Sequence, residues 1–486
     1  MAGTIKGCWR WFTHSVAKPR MRKGVVLFLA TFLLYISLSP FYVRNPNTGS
    51  RFMLTKAVVL YGTFNVSYSD FKYYNGLDYA YKDGKYYSDK PPLPSFLVTP
   101  LYAFGRVLYG LGVVAPLPNH IAMEEDLNSV LLISLFICAL SAAGVVRMRD
   151  LLLLLGFSDG SSTATALVYA TFTIFAVYAG VLFAHAFSAT FVIFSLYHAV
   201  LFANRGRAAD AVLSGFFCGC AVASAYIAAV LTPFIIAYFL AKRKLSAASI
   251  LFFAGAALPL AFVAFYNWSC FGSPLSTGYE YSAFKDSIHF NNPIQEGLYH
   301  LTFSSWRGLF FYNPVLLLSF LGAVLAWKRG LKAEALVFSS APIALLLAVA
   351  RYSYFWGGLC YGPRHLVSSI PMLSLLLAPV LEEARELSKR SVFLLVAFFF
   401  GTSVSLFHTM LGLLVEPFPY PELNRNPIYE IVLPKLLSSG IHPSSIAATL
   451  SPIAFYAVVT AAVVLLLAGF NAAKFDGEKL RDESSS

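Results

Sequence analysis

The most informative stretch of the chain reads Asn75-Gly76-Leu77-Asp78-Tyr79-Ala80-Tyr81-Lys82-Asp83-Gly84-Lys85-Tyr86-Tyr87-Ser88-Asp89-Lys90-Pro91-Pro92. Carboxylates, ammonium groups and tyrosines crowd together just ahead of a double proline and an apolar helix. A carboxylate in such a place can accept a proton from a substrate hydroxyl. It can also offer oxygen to Mg²⁺ or Mn²⁺. Lysine, and arginine with its bidentate fork, can pair with a phosphate. The same residue types also make an ordinary solvated loop, and only burial separates the two readings.

The elements that must position these groups are membrane helices. Of 486 residues, 58% are hydrophobic and 12% charged, against roughly 45–50% and about 25% in a soluble domain. The apolar residues fall in runs such as 25–42, 129–146 and 453–470, close to the ~20 residues a helix needs to cross hydrocarbon. Helix is the expected state, because lipid tolerates no unpaired backbone groups and the runs are too uniform for barrel strands. The net charge of +12 would suggest nucleic acid in a soluble protein. Here the basic residues flank apolar runs, which is the pattern of cytoplasmic loops, so no nucleic-acid partner is expected. The basic N-terminus leads into a long run with no small-residue cleavage site after it, read as a retained first helix.

Orientation follows from the basic clusters. Arg22 with Lys23, Arg147 with Arg149, Arg205 with Arg207, Lys242 to Lys244, Lys328 to Lys332, Arg385 to Arg390, and Lys474 to Arg481 are expected to be cytoplasmic. Two apolar segments lie between successive clusters. The expectation is one membrane-embedded all-α domain over 1–486, about twelve crossings, and both termini inside. The segment 91–112 would invert every later cluster if it crossed, so it is placed as a re-entrant or interfacial helix. The extracytoplasmic loops are then 43–127, 268–305, 351–365 and 413–450, with a cytoplasmic tail at 471–486. Chemistry has room only on the outer face. Cys270 and Cys360 both fall there, where a disulfide is conceivable. Asn65-Val66-Ser67 and Asn267-Trp268-Ser269 are glycosylation sequons on that side. His198 and His408, within spans, are read as structural, and Glu124, Glu125 and Asp126 as a solvated acidic cap.

Asp89-Lys90-Pro91-Pro92-Leu93 closely resembles the Glu/Asp-Lys-Pro-Pro/Ala-Pro stretch in the first extracytoplasmic loop of GT-C-fold glycosyltransferases. The relevant members are the protein mannosyltransferase-like and aminoarabinose transferase-like enzymes (glycosyltransferase family 39 type), which use polyprenyl-phosphate sugars. Ser50-Arg51-Phe52 looks like their arginine-bearing helix after the first span, and Asp78 matches an acidic position in many prokaryotic members. Leu182-Phe183-Ala184-His185 resembles the end of a helix bearing a family histidine. Phe271-Gly272-Ser273-Pro274 with Gly278-Tyr279, Trp306-Arg307-Gly308-Leu309-Phe310 with Asn313-Pro314, and Trp356-Gly357-Gly358 with Tyr361-Gly362-Pro363-Arg364 are similar to later family segments, in the same order.

The resemblance implies a plasma-membrane enzyme of prokaryotic type. It would pass a sugar from a polyprenyl-phosphate donor to a hydroxyl of a lipid, glycan or protein, with inversion in one step. It implies substrate contacts at Arg51, Lys90, His185, Arg307, Tyr361 and Arg364, with Asp89 as a candidate ligand for Mg²⁺ or Mn²⁺. Many members carry an acidic pair right after the first helix. Here that place reads Asn45-Pro46-Asn47-Thr48-Gly49-Ser50, without a carboxylate. The base is therefore sought at Asp78, with Asp70 and Asp89 as competitors. Plainer roles stand beside these. Lys90 and Arg51 would snorkel to headgroups, and His185 would be a hydrogen-bonded structural histidine. Arg364 begins an apolar helix on the outer side, against the positive-inside bias, which favours a functional role. The alternatives in function are a transporter or flippase of lipid-linked sugars, or a non-catalytic homologue. A transporter would carry ionisable groups near mid-membrane, whereas the polar content here sits in outer loops.

Overall fold

The computed structural model describes residues 19–38, 45–67, 71–74, 78–117, 121–242, 247–285, 289–385, 389–415, 418–419, 425–439 and 460–461. Asp70, nearly all of the apolar run 453–470 and the tail 471–486 lie outside the described residues. The helices used below are α1 Pro19–Leu38, α2 Pro46–Tyr61, α3 Leu93–Leu97, α4 Thr99–Gly110, α5 Leu127–Leu154, α6 Asp159–Thr171, α7 Ala184–Arg205 and α8 Ala208–Ser224. They continue with α9 Tyr226–Lys242, α10 Ala247–Phe271, α11 Pro314–Lys328, α12 Lys332–Arg351, α13 Arg364–Glu383 and α14 Lys389–Leu414.

Among the described residues, six helices are long and apolar enough to cross a membrane, with four shorter apolar helices beside them. The protein is a multi-pass membrane protein. The expected total of about twelve is not closed by these helices, since the last expected crossing falls almost wholly outside the described residues. Helices α8 and α10 pack without side chains between them at two levels. A Cβ on Gly215 would sit 1.8 Å from the Phe252 carbonyl oxygen, and one on Gly255 2.0 Å from that of Val212. Small residues that let backbones touch are how helices associate where lipid removes the hydrophobic drive.

The segment between α1 and α5 is folded rather than loose. Asn45 caps α2, its side chain accepting from the Asn47 N–H at 3.0 Å, and Pro46 occupies the first turn. Gly62 ends the helix at φ 61°. The one strand pair among the described residues follows, a short hairpin within an otherwise all-α fold. Tyr79–Lys82 (β1) pairs antiparallel with Lys85–Ser88 (β2) through a two-residue turn at Asp83-Gly84, both with positive φ. That is the hairpin turn an Asp-Gly dipeptide favours.

Helix α4 covers the second half of the ambiguous segment. Its 12 residues span only about 18 Å at 1.5 Å per residue, too short to cross hydrocarbon. Phe104 and Val107 are exposed, while Gly105 lies against the backbone of Ser129 at the start of α5. The helix is amphipathic and lies across the end of α5, in keeping with the interfacial placement.

Charge clusters mark one end of the bundle. Lys23 meets Asp159 at 2.8 Å, Arg149 pairs with the same carboxylate, and Lys242 meets Glu334 at 2.7 Å. Ser158 donates to Glu382 at 2.8 Å. Lys23, Arg149 and Lys242 all come from the clusters read as cytoplasmic.

Candidate functional site

A cavity of about 490 Å³ opens at the other end of the bundle. It is lined by the first turns of α2, α7, α9 and α13, the last turn of α12, and Thr277, Tyr279, Glu280, Lys285 and Phe290. Helices α9 and α13 leave the cavity and run toward Lys242 and Glu382, so it and the basic clusters occupy opposite ends.

Helix α2 supplies Arg51. Its side chain is 2% exposed. One terminal nitrogen donates to the Asn47 carbonyl at 3.1 Å and to the Asn47 side-chain oxygen. Its Nε is buried with no partner among the described residues. Burial pulls this guanidinium down to about 10, a pull that Tyr279 and Asp89 offset in part and Arg364 reinforces. It stays charged at neutral pH.

The hairpin supplies Asp78 at its start and Asp89-Lys90 at its end. Lys90 Nζ lies 3.0 Å from a carboxylate oxygen of Asp78 and 3.0 Å from one of Asp89, and 5.6 Å from the Tyr279 ring centre. Burial opposes the ammonium, but the two carboxylates outweigh it and raise its pKa above the usual lysine value. Burial pushes the Asp89 carboxyl up, against the pull of Lys90. Ser50 Oγ lies 2.8 Å from Ser88 Oγ, tying the hairpin to α2. Gly278 presses from the other side: a Cβ there would stand 2.6 Å from Asp89 Cα.

Arg364 opens α13, and its guanidinium makes no hydrogen bond or ion pair among the described residues; its Nε is buried without a partner. The backbone of Gly357, at φ 77°, passes so close that a Cβ would meet Arg364 Nε at 2.8 Å. His185 Nδ1 and His365 Nε2 are likewise buried and unpartnered, with ring centres 6.1 Å apart. Four nitrogens on cavity-lining residues thus lack partners, although buried polar groups in proteins are nearly always satisfied.

Of the residues singled out in the sequence, Arg51, His185 and Arg364 line the cavity, and Lys90 with Asp78 and Asp89 stands beside it. Arg307 and Tyr361 do not line it. Arg307 is fully buried and donates to the carbonyls of Cys360 at 2.6 Å and Gly358 at 2.9 Å, so it shapes the 351–365 loop from behind. Tyr361 is fully buried and donates to the His408 carbonyl. Snorkelling does not describe Arg51 or Lys90, since both are buried. The acidic cap is not simply solvated: Asp126 is 0% exposed and meets Lys56 at 2.8 Å. Cys270 and Cys360 are both free and buried, which overturns the disulfide. Asn267 is buried and unsuited to carry a glycan, whereas Asn65 is half-buried. His198 and His408 are structural: His198 meets Asp210 at 3.1 Å, and His408 bonds to the Phe311 carbonyl and Tyr429.

Among the lining groups that escaped the sequence reading are His365, Glu280, Asn47 and Lys285. His365 follows Arg364 directly, and Glu280 follows the Gly278-Tyr279 motif, so each was one residue from a recognised signal.

A divalent ion at Asp89 does not fit this arrangement. Mg²⁺ and Mn²⁺ need about six oxygens, and the space between Asp78 and Asp89 already holds an ammonium. Among the described residues no three His, Cys, Asp or Glu groups gather as a ligand set.

No family model and no curated protein matches the chain. Among solved structures it is similar to the oligosaccharyltransferase of Archaeoglobus fulgidus in its apo form, at 11% identity and TM-score 0.45 over 80% of this chain and 56% of that one. It is similar to the same organism's archaeal oligosaccharyltransferase AglB in complex with an inhibitory peptide and a dolichol-phosphate, at 12% identity and TM-score 0.48 over 85% and 57%. It is also similar to ArnT from Cupriavidus metallidurans in the apo state, at 17% identity and TM-score 0.48 over 92% and 76%. The chain spans just over half the length of the oligosaccharyltransferase chains.

Proposed function

We propose that the protein is a membrane glycosyltransferase. It moves a sugar from a polyprenyl-phosphate donor to an acceptor hydroxyl of a lipid, glycan or protein, inverting the anomeric carbon in one displacement. The observation that carries this reading is that Arg51 and Arg364 line one cavity, each with a buried, unpartnered guanidinium nitrogen, while Lys90 stands beside it. Orphaned cationic donors in a low-dielectric pocket are costly unless an anion completes them. A departing phosphate is such an anion, and its charge grows as the glycosidic bond breaks, which is what fixed donors stabilise.

In this reading Arg51 and Arg364 grip the phosphate from two helices. Lys90, held between Asp78 and Asp89, adds a third positive charge where a metal would otherwise serve. His185 and His365 offer ring nitrogens to the phosphate or to sugar hydroxyls. The ordered resemblance of segments from 50 to 364 to polyprenyl-phosphate-dependent enzymes supports the donor class. The basic clusters lie at the end away from the cavity, which supports an extracytoplasmic active site, cytoplasmic termini and a plasma-membrane location.

The test is transfer by purified protein from decaprenyl-phosphate-linked mannose, glucose and arabinose, read as release of decaprenyl phosphate. Wild type is expected to turn over at least one donor, and Lys90→Met to lose about 10²–10³-fold. Absence of turnover alongside movement of a lipid-linked sugar across liposomes would replace this reading with transport.

A further inference from the structure

We propose that Glu280 is the general base of this reaction, an inference that rests on the glycosyltransferase reading and names the carboxylate it needs. Glu280 is the only carboxylate among the described residues lining the cavity. Asp78 and Asp89 do not line it, and each spends an oxygen on Lys90 at 3.0 Å.

Glu280 is held for the task. It sits in the turn Gly278–Tyr281, where the Thr277 N–H donates to one of its carboxylate oxygens at 2.8 Å. The other oxygen has no partner among the described residues. The turn is pinned to the hairpin on both sides, by the close approach of Gly278 to Asp89 and by a bridge between Ala80 and Ser282. The turn thus holds Glu280 at the rim of the cavity, where the side chain is exposed and its second oxygen is open to an acceptor. In the step, the acceptor oxygen bonds to the anomeric carbon and its proton passes to Glu280. The bond from that carbon to the phosphate oxygen breaks, and its electron pair leaves with polyprenyl phosphate.

Glu280→Gln tests this cleanly, because an amide oxygen can still accept from Thr277 and keep the turn. With a donor that wild type uses, the variant should lose 10²–10⁴-fold in kcat, the usual contribution of a general base. Its binding of decaprenyl phosphate should stay at the wild-type level. Sodium azide, a nucleophile that needs no deprotonation, should restore donor consumption and yield the glycosyl azide. Asp78→Asn, assayed in parallel, should show no azide rescue. Wild-type rates in Glu280→Gln, or a loss that azide does not restore, would overturn the assignment while leaving the glycosyltransferase reading intact. Absence of turnover by wild type with every donor would remove both.

Discussion

Helix α2 carries two buried cations, Arg51 and Lys56, whose surroundings differ in kind. Five residues separate them, which turns their side chains about 140° apart at 3.6 residues per turn. Lys56 reaches Asp126 at 2.8 Å, and the same carboxylate accepts from Tyr74 at 2.7 Å and Tyr102 at 2.6 Å, with Arg106 at 3.5 Å. Every strong acceptor site on Asp126 is filled. Arg51 faces a cavity instead, with an unpartnered Nε, and across that cavity stands Arg364, which meets the Phe183 ring but no hydrogen-bond or ion-pair partner among the described residues. Burial is the same in both regions. Saturation is what differs, and it separates a network that holds the first loop together from one that waits for an anion.

The sharpest way to break this comparison is Asp126→Ala. It strands a buried ammonium and two tyrosine hydroxyls, and breaking a buried pair from one side costs about 3–5 kcal/mol. Thermal unfolding in detergent should show a large drop in midpoint, while protein that remains folded keeps its transfer rate. Next in size is Arg364→Ala. Removing one fixed donor to developing charge costs about 10²–10³-fold in kcat. Because that guanidinium makes no hydrogen bond or ion pair among the described residues, the unfolding midpoint should hardly move. If Arg364→Ala unfolded the protein as Asp126→Ala does, the contrast between a saturated and a waiting network would be wrong.

Much of this was legible in the sequence, and the reasons differ by region. Hydrophobic runs and basic clusters reveal the helices and the two ends of the bundle because hydrocarbon length and loop charge are one-dimensional properties. The Asp83-Gly84 turn was visible as residues yet not read as a hairpin, since two four-residue strands have too short a period to stand out. Arg51, Lys90, His185 and Arg364 were found because ordered motifs point at them. Arg307 and Tyr361 sit in equally good motifs and turned inward, where a guanidinium organises a loop by bonding its carbonyls. Sequence cannot tell these cases apart, because both place a polar residue at a helix end. Asp126 was misjudged for the same reason: its partners Lys56, Tyr74 and Tyr102 are 70, 52 and 24 residues away. Glu280 stayed unseen because its significance is only that no other carboxylate among the described residues lines its cavity.

The smallest expected effect is none, and it concerns metal. Lys90 occupies the position between Asp78 and Asp89 that a divalent cation would need, at 3.0 Å from each. The two carboxylates also raise the pKa of that ammonium, so it stays charged across the working range and does not yield the place by losing a proton. Two carboxylate oxygens would leave about four of the six positions around Mg²⁺ or Mn²⁺ unfilled by this cluster. Transfer by wild type should therefore be unchanged after dialysis against EDTA, and added Mg²⁺ or Mn²⁺ should not raise it. Loss of activity in EDTA, restored by Mn²⁺, would require Lys90 to swing out of the pair. The waiting network would then be built around a metal ion, and Lys90→Met should bind Mn²⁺ more tightly than wild type, which isothermal titration would detect without any turnover.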